Sequence, residues 1–174
     1  MENFVYQDDQ YPFSGFDHLR QVARAIVINE EGKVALHHIK RNDMFCDQEY
    51  FETPGGGVDE GETPEEALVR ECEEELGLIV EPIEELAVVK DAYNLIKRQN
   101  ENHFFLAKAA RKTKKHFESE GDAYIVGTLW ITIDEAIKLM EEMDRTLVSG
   151  LVRQRELPVL RLAKGRIAHL SLAS

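Results

Sequence analysis

Arg70, Glu71, Glu74 and Glu75 crowd into six residues, Arg70-Glu71-Cys72-Glu73-Glu74-Glu75. On a helix, at about 100° per residue, the glutamates at 71, 74 and 75 share an arc of roughly 100°. Carboxylates on one stripe repel, at about 0.2–0.5 kcal/mol for each exposed pair. Burial sharpens that conflict and drives a carboxyl pKa upward. A hard divalent cation relieves it, because Mg2+ and Mn2+ prefer oxygen donors. The chemistry this permits is a cation held between protein carboxylates and the negative oxygens of a ligand. The plainer alternative is a solvated acidic face, and Glu65, Glu66 and Glu73 read that way.

Local signals make the stretch a helix. Thr63 can cap it by accepting from a free N–H of the first turn. Pro64 suits the first helical position, and Glu66, three after Thr63, completes a capping box. Gly77 suits the left-handed position that ends a helix. Leu68, Val69, Cys72 and Leu76 form the core-facing arc. Ala67 lies among the glutamates and is small enough to let a ligand approach. Upstream, Pro54 leads into Gly55-Gly56-Gly57, whose backbone can come close to a ligand.

Gly56, Glu62, Arg70, Glu71, Cys72, Glu74, Glu75, Gly77 and Leu78 fit the pattern G-x5-E-x7-R-E-U-x-E-E-x-G-U, where U is apolar. Seven fixed letters at about one in fifteen each would meet by chance on the order of once in a million. The stretch resembles the Nudix box of the Nudix hydrolases. The resemblance implies an α+β fold, the Nudix α/β/α sandwich with a mixed β-sheet. It implies metal-dependent hydrolysis of a pyrophosphate bond in a nucleoside diphosphate linked to another group, with Mg2+ (or Mn2+) as cofactor. Sugar nucleotides such as ADP-ribose, dinucleoside polyphosphates and nucleoside triphosphates are candidate substrates. A domain that senses a nucleotide without turning it over is the alternative.

In that resemblance Glu71, Glu74 and Glu75 hold metal together with the backbone of Gly56, and Arg70 orients the glutamates. Glu62 is structural or a further metal contact. Nudix enzymes often recruit another acid from the region of Glu118, Glu120 and Asp122, and Glu120 is the first choice. Arg24 interrupts an apolar run, as an exposed strand residue or as a contact to a substrate phosphate. Tyr93 lies close to where dinucleoside polyphosphate hydrolases carry a tyrosine. It is a candidate substrate contact, with a core-packing strand tyrosine as the alternative.

Composition narrows the classes. A chain of 174 residues suits one domain, and a net charge of -12 argues against a broad nucleic-acid surface or an anionic membrane face. No apolar run nears the length of a membrane-spanning helix, and the polar start does not read as a signal peptide. Cys46 and Cys72 make no disulfide framework, which suits a reducing, cytoplasmic setting. Cys72 reads as a small core hydrophobe, and Cys46 as a loop residue without a recognisable partner. Residues 1–20 read as an irregular lead-in or extra edge strand whose aromatics cover the core or a dimer surface, and residues 21–174 as the single domain.

The remaining chain alternates strands and helices. Val22 to Asn29 and Lys33 to Lys40 read as a hairpin around Asn29-Glu30-Glu31-Gly32. His37 and His38 alternate across the second strand and read as structural. Glu49 to Thr53, Glu84 to Leu95, Asn100 to Ala110 and Tyr124 to Ile133 read as strands, with Lys97-Arg98-Gln99-Asn100 as a turn. The basic run Arg111 to Lys115 is a solvated loop or lies beside an anionic substrate. Asp134 is the expected cap of a helix over Ala136 to Met143, and Thr146 to Lys164 a last helix broken near Pro158.

Overall fold

The computed structural model describes residues 1–118 and 121–173. The strands are β1 (Glu2–Val5), β2 (His18–Ile28), β3 (Val34–Asn42), β4 (Asp47–Glu52), β5 (Gly55–Gly57), β6 (Leu78–Tyr93), β7 (Arg98–Lys112) and β8 (Ile125–Ile131). The helices are α1 (Pro64–Leu76), α2 (Ile133–Glu142) and α3 (Leu147–Ala173). The strands form one sheet in the order β1-β6-β7-β2-β3-β4, with β5 on β2 and β8 on β3. β1 pairs with β6 and β2 with β7 in parallel, and the other pairs are antiparallel. The sheet is therefore mixed.

Alternation along the strands gives the sheet two apolar faces. Ala23, Ala25, Ala35, Phe105 and Ala107 pack against Ala67, Leu68, Cys72 and Leu76 of α1. Ile26, Leu36, Phe104 and Leu106 pack against Met140, Val152 and Leu160 of α2 and α3. Helices thus cover both faces, the α/β/α arrangement expected. The small residues opposite α1 let that helix lie close to the sheet. Ala67 is fully buried in that contact, so it gives no approach to a ligand.

Several boundaries differ from the expectations. The β6–β7 turn is a single 3-10 turn over Asn94–Ile96, with Lys97 left-handed (φ 52°). It precedes the expected turn because Asn94 is held from outside. Its N–H donates to Asp8 Oδ2 (2.7 Å), and its side-chain amide donates to Asp8 O (3.1 Å) and Tyr11 O (2.9 Å). The N-terminal segment therefore supplies an edge strand and also a clamp. β2 begins at His18, ahead of the boundary expected at residue 21.

α2 is capped by Thr132, with Glu135 closing a capping box, so Asp134 lies inside the first turn. α3 runs unbroken through Pro158. An interior proline removes one helix hydrogen bond and costs about 3 kcal/mol. Here Val148, Leu151 and Val152 before it, and Val159, Leu160 and Ala163 after it, are all buried and hold both halves to the sheet. Cys46 is buried in the α2–α3 core cluster rather than free in a polar loop. Among the described residues no helix is long and apolar enough to cross a membrane.

Candidate active site

The capping signals of α1 are realised. Thr63 accepts from the Glu66 N–H (3.2 Å), and Glu66 accepts from the Thr63 N–H (2.9 Å). Gly77 takes the left-handed conformation (φ 64°). The register set by these caps buries Glu71, Glu74 and Glu75 at 7%, 4% and 4% exposure, which excludes a solvated acidic face.

β2 and β3 share one register pair, Ile28↔Val34, and then separate. β5 lies beside β2 at Val22–Arg24 instead. Glu75 bridges the gap: its Oε2 accepts from the Gly55 N–H (2.9 Å) on β5 and lies 3.0 Å from His37 Nε2 on β3. A carboxylate can only accept, so Nε2 donates, and Nδ1 accepts from the Thr128 hydroxyl at 2.9 Å. His37, read as merely structural, thus orients a glutamate of the site. The signal that could have found it is a histidine on the inward face of a strand beside a candidate metal cluster.

Arg70 lies within hydrogen-bond reach of two of the three glutamates. Nη1 donates to Glu71 Oε1 (2.8 Å) and, at 3.4 Å, to Glu74 Oε1. Nε and Nη2 donate to Glu62 (both 2.9 Å), and Nη2 also donates to the Gly57 carbonyl (2.9 Å). Glu62 is therefore an anchor for Arg70. The missing side chain of Gly56 leaves the Glu71 carboxylate its place, since a Cβ there would push that carboxylate aside.

Three buried carboxylates with so few cations leave an electrostatic debt. Burial, helped by the charges of Glu75 and Glu74, pushes the Glu71 carboxyl up to about 7, although Arg70 opposes the shift. Burial also raises Glu74, against Arg70. Clustered oxygen donors that resist losing their protons are the donor set a hard divalent cation fits. Glu71 and Glu75 line an open cleft of about 240 Å³ that also includes Gly55, Gly56 and Gly57. Glu74 turns instead toward the segment after β7, where ligand atoms of Glu74, His116 and Glu118 lie within 4.8 Å of one another. Glu120, the acid first chosen from this region, lies outside the described residues.

Arg24 is buried, not an exposed strand residue. It lines the cleft, but its guanidinium donates to Thr53 O (3.1 Å) and pairs with Glu52 (3.5 Å) and Glu156 (3.4 Å). Tyr93 also lines the cleft, and its hydroxyl accepts from Arg155 Nη1 (3.1 Å). Arg155 of α3, 1% exposed, completes this floor, and Glu156, 0% exposed, pairs with it at 2.6 Å; neither was foreseen. Their signal was present: they occupy the stripe of Val148, Leu151, Val152, Val159 and Leu160, where helical spacing calls for apolar residues. Arg111, Lys112 and Lys115 border a separate groove with Trp130.

Residues 18–151 match the NUDIX domain family. An 8-oxo-dGTP diphosphatase of Haemophilus influenzae is 48% identical over 59 residues, 34% of this chain and 42% of that protein. Nudix hydrolase 7 of Arabidopsis thaliana is 30% identical over 115 residues, 66% of this chain and 40% of that one. The chain thus spans about two fifths of the length of these relatives. A NUDIX hydrolase from Nitrosomonas europaea shares the fold, with a TM-score of 0.63 at 19% identity, over 84% of this chain and 88% of that one. With its glutamate helix, oriented arginine and sheet as described, the chain belongs to the Nudix family.

Proposed function

We propose that the chain is a hydrolase that cleaves a phosphoanhydride bond in a nucleoside diphosphate linked to another group, using Mg2+ or Mn2+. The observation that carries this reading is the burial of Glu71, Glu74 and Glu75 on one helix face, under the restraint of Arg70 and His37. The carboxylates of Glu71 and Glu75 and the Gly56 carbonyl would hold a cation on the cleft side, and Glu74, beside His116 and Glu118, one at its edge. When bound, such a cation would neutralise phosphate oxygens and make a water easier to deprotonate.

The chain's own groups do the rest. Arg70 keeps Glu71 and Glu74 at hydrogen-bond distance from one guanidinium, so their oxygens need little reorganisation. His37 and the Gly55 N–H occupy one oxygen of Glu75 and leave the other for the cleft. A carboxylate facing the cleft takes the proton of the attacking water. Tyr93 and the Arg24 network form the floor against which the nucleotide rests.

The Haemophilus relative is named for a nucleoside triphosphate substrate. That supports a nucleotide as the small-molecule partner. A panel of phosphoanhydrides assayed with Mg2+ and Mn2+ tests the reading. Glu74→Gln and Glu75→Gln should each lower turnover by about a hundredfold or more while the fold survives. Near wild-type turnover in both variants would remove the role given to the helix.

A further inference from the structure

The cleft carries a second charged feature that the glutamate helix does not explain. β2 and β7 run parallel with His18↔Arg98, Arg20↔Asn100 and Val22↔Asn102 as partners. Alternation then places Arg20, Val22 and Arg24 on the same face as Arg98, Asn100 and Asn102. All six line the cleft.

The arginines of this wall fall into two classes. Arg24 faces Glu52 and Glu156, Arg155 faces the same two acids, and Arg41 faces Asp43. The side chains of Arg20 and Arg98 make no hydrogen bond or ion pair with any described residue. Arg98 lies over the Tyr93 ring, 5.1 Å from its centroid, and its Nε is buried without an acceptor. Acids are not scarce, since the chain has 33 against 21 lysines and arginines. Burial, and next the charge of Arg20, hold the Arg98 guanidinium below its ordinary value. Two like charges therefore meet in the cleft, Arg20 exposed to solvent and Arg98 half-buried within reach of the Asp91 charge.

Position decides what they wait for. The Arg20 guanidinium lies against Gly57: a Cβ there would be 2.8 Å from Nη2. Gly57 is one residue, about 3.8 Å of Cα separation, from Gly56 at the glutamate end. A guanidinium fork matches the oxygens of a phosphoryl group. A diphosphate between two sugars has two charged phosphoryl groups and a triphosphate chain has three, so the longer chain gains more from a second cationic site.

We propose that Arg20 and Arg98 form an anion subsite for a phosphoryl group beyond the anhydride served by the glutamate helix, so that the substrate is a nucleotide with three or more phosphates. This rests on the hydrolase reading above for the chemistry, but the subsite can be measured without turnover.

Binding of inorganic tripolyphosphate to the whole protein, followed by calorimetry in EDTA, reads the subsite alone. Arg20→Ala and Arg98→Met should each weaken it by about tenfold or more. Arg98→Lys should keep part of it, and Lys114→Ala, outside the cleft, should leave it unchanged. In steady-state assays the two charge-removing variants should raise KM for GTP by a similar factor and leave kcat/KM for ADP-ribose within about twofold. Tripolyphosphate binding that ignores both arginines overturns the subsite, whatever the hydrolase assay gives. Equal losses on GTP and ADP-ribose overturn the preference for longer phosphate chains. If no phosphoanhydride is cleaved yet tripolyphosphate binding still depends on Arg20 and Arg98, the subsite stands and the hydrolase reading fails.

Discussion

The imidazole of His37, on β3, touches the carboxylate of Glu75, on α1, at 3.0 Å, and both side chains are almost wholly buried. The contact joins the sheet to the helix at the place where the metal-holding oxygens are expected. Its other ring nitrogen is tied to Thr128 on β8, so the ring cannot turn without breaking a second hydrogen bond.

His37→Ala should therefore loosen Glu75 rather than remove it. The expected result is turnover lower by about tenfold and a higher Mg2+ concentration at half-maximal rate, as for other partners that orient a metal ligand. His37→Gln, which keeps a donor, should recover part of both. An unchanged Mg2+ dependence in the alanine variant would show that the contact is only packing.

Gly56→Ala should displace the Glu71 carboxylate, because the new methyl and that carboxylate claim the same space. A misplacement near 1 Å costs about a hundredfold in rate. Gly61→Ala is the contrast. Gly61 has φ +81° and open space around its Cα, so the substitution strains the backbone by about 1 kcal/mol and spares activity. Melting curves and rates for the two variants should separate along these lines.

Glu71 makes the metal-free protein sensitive to pH. Burial first, then the neighbouring Glu75 and Glu74, raise its carboxyl to about 7 in the folded state, from an ordinary 4.5. The folded state thus keeps a proton that the unfolded chain releases, and stability falls as pH rises between those values. In EDTA the Tm should be lower at about pH 8 than at about pH 5 by more than in Glu71→Gln, which has no proton to lose. Mg2+ should restore more stability at the higher pH, where the carboxylate is free to bind it.

Glu156 is the buried acid between Arg24 (3.4 Å) and Arg155 (2.6 Å), and it also accepts from the Thr53 N–H at 2.7 Å. Glu52 shares both arginines, which hold its carboxyl below the usual range against the opposing effect of burial. Removing one partner from a buried pair leaves an uncompensated charge and costs about 3–5 kcal/mol. Glu156→Ala should lose that much in denaturant unfolding, and Glu156→Gln, which keeps a hydrogen-bonding side chain, less. A loss under about 1 kcal/mol in the alanine variant would mean that the network contributes little.

The sequence alone was enough wherever the cause of a structure lies within a few residues of its effect. The Thr63–Glu66 capping box, the left-handed Gly77, and the common face of Glu71, Glu74 and Glu75 follow from helix geometry and spacing. The family pattern is just as local, running from Gly56 to Leu78. Tertiary contacts decided the rest. Asn94 turns the chain because Asp8 and Tyr11 receive its donors, and α3 passes through Pro158 because both halves are packed on the sheet. His37 meets Glu75 because β3 separates from β2 beside the gap into which Glu75 reaches. Arg155 and Glu156 could be recognised as misplaced charges on an apolar stripe, but their partners Arg24, Glu52 and Thr53 are brought to them only by folding. Periodicity tells a residue which way to face within its own element. It does not say which distant element it will find there, because that depends on strand order and layer packing.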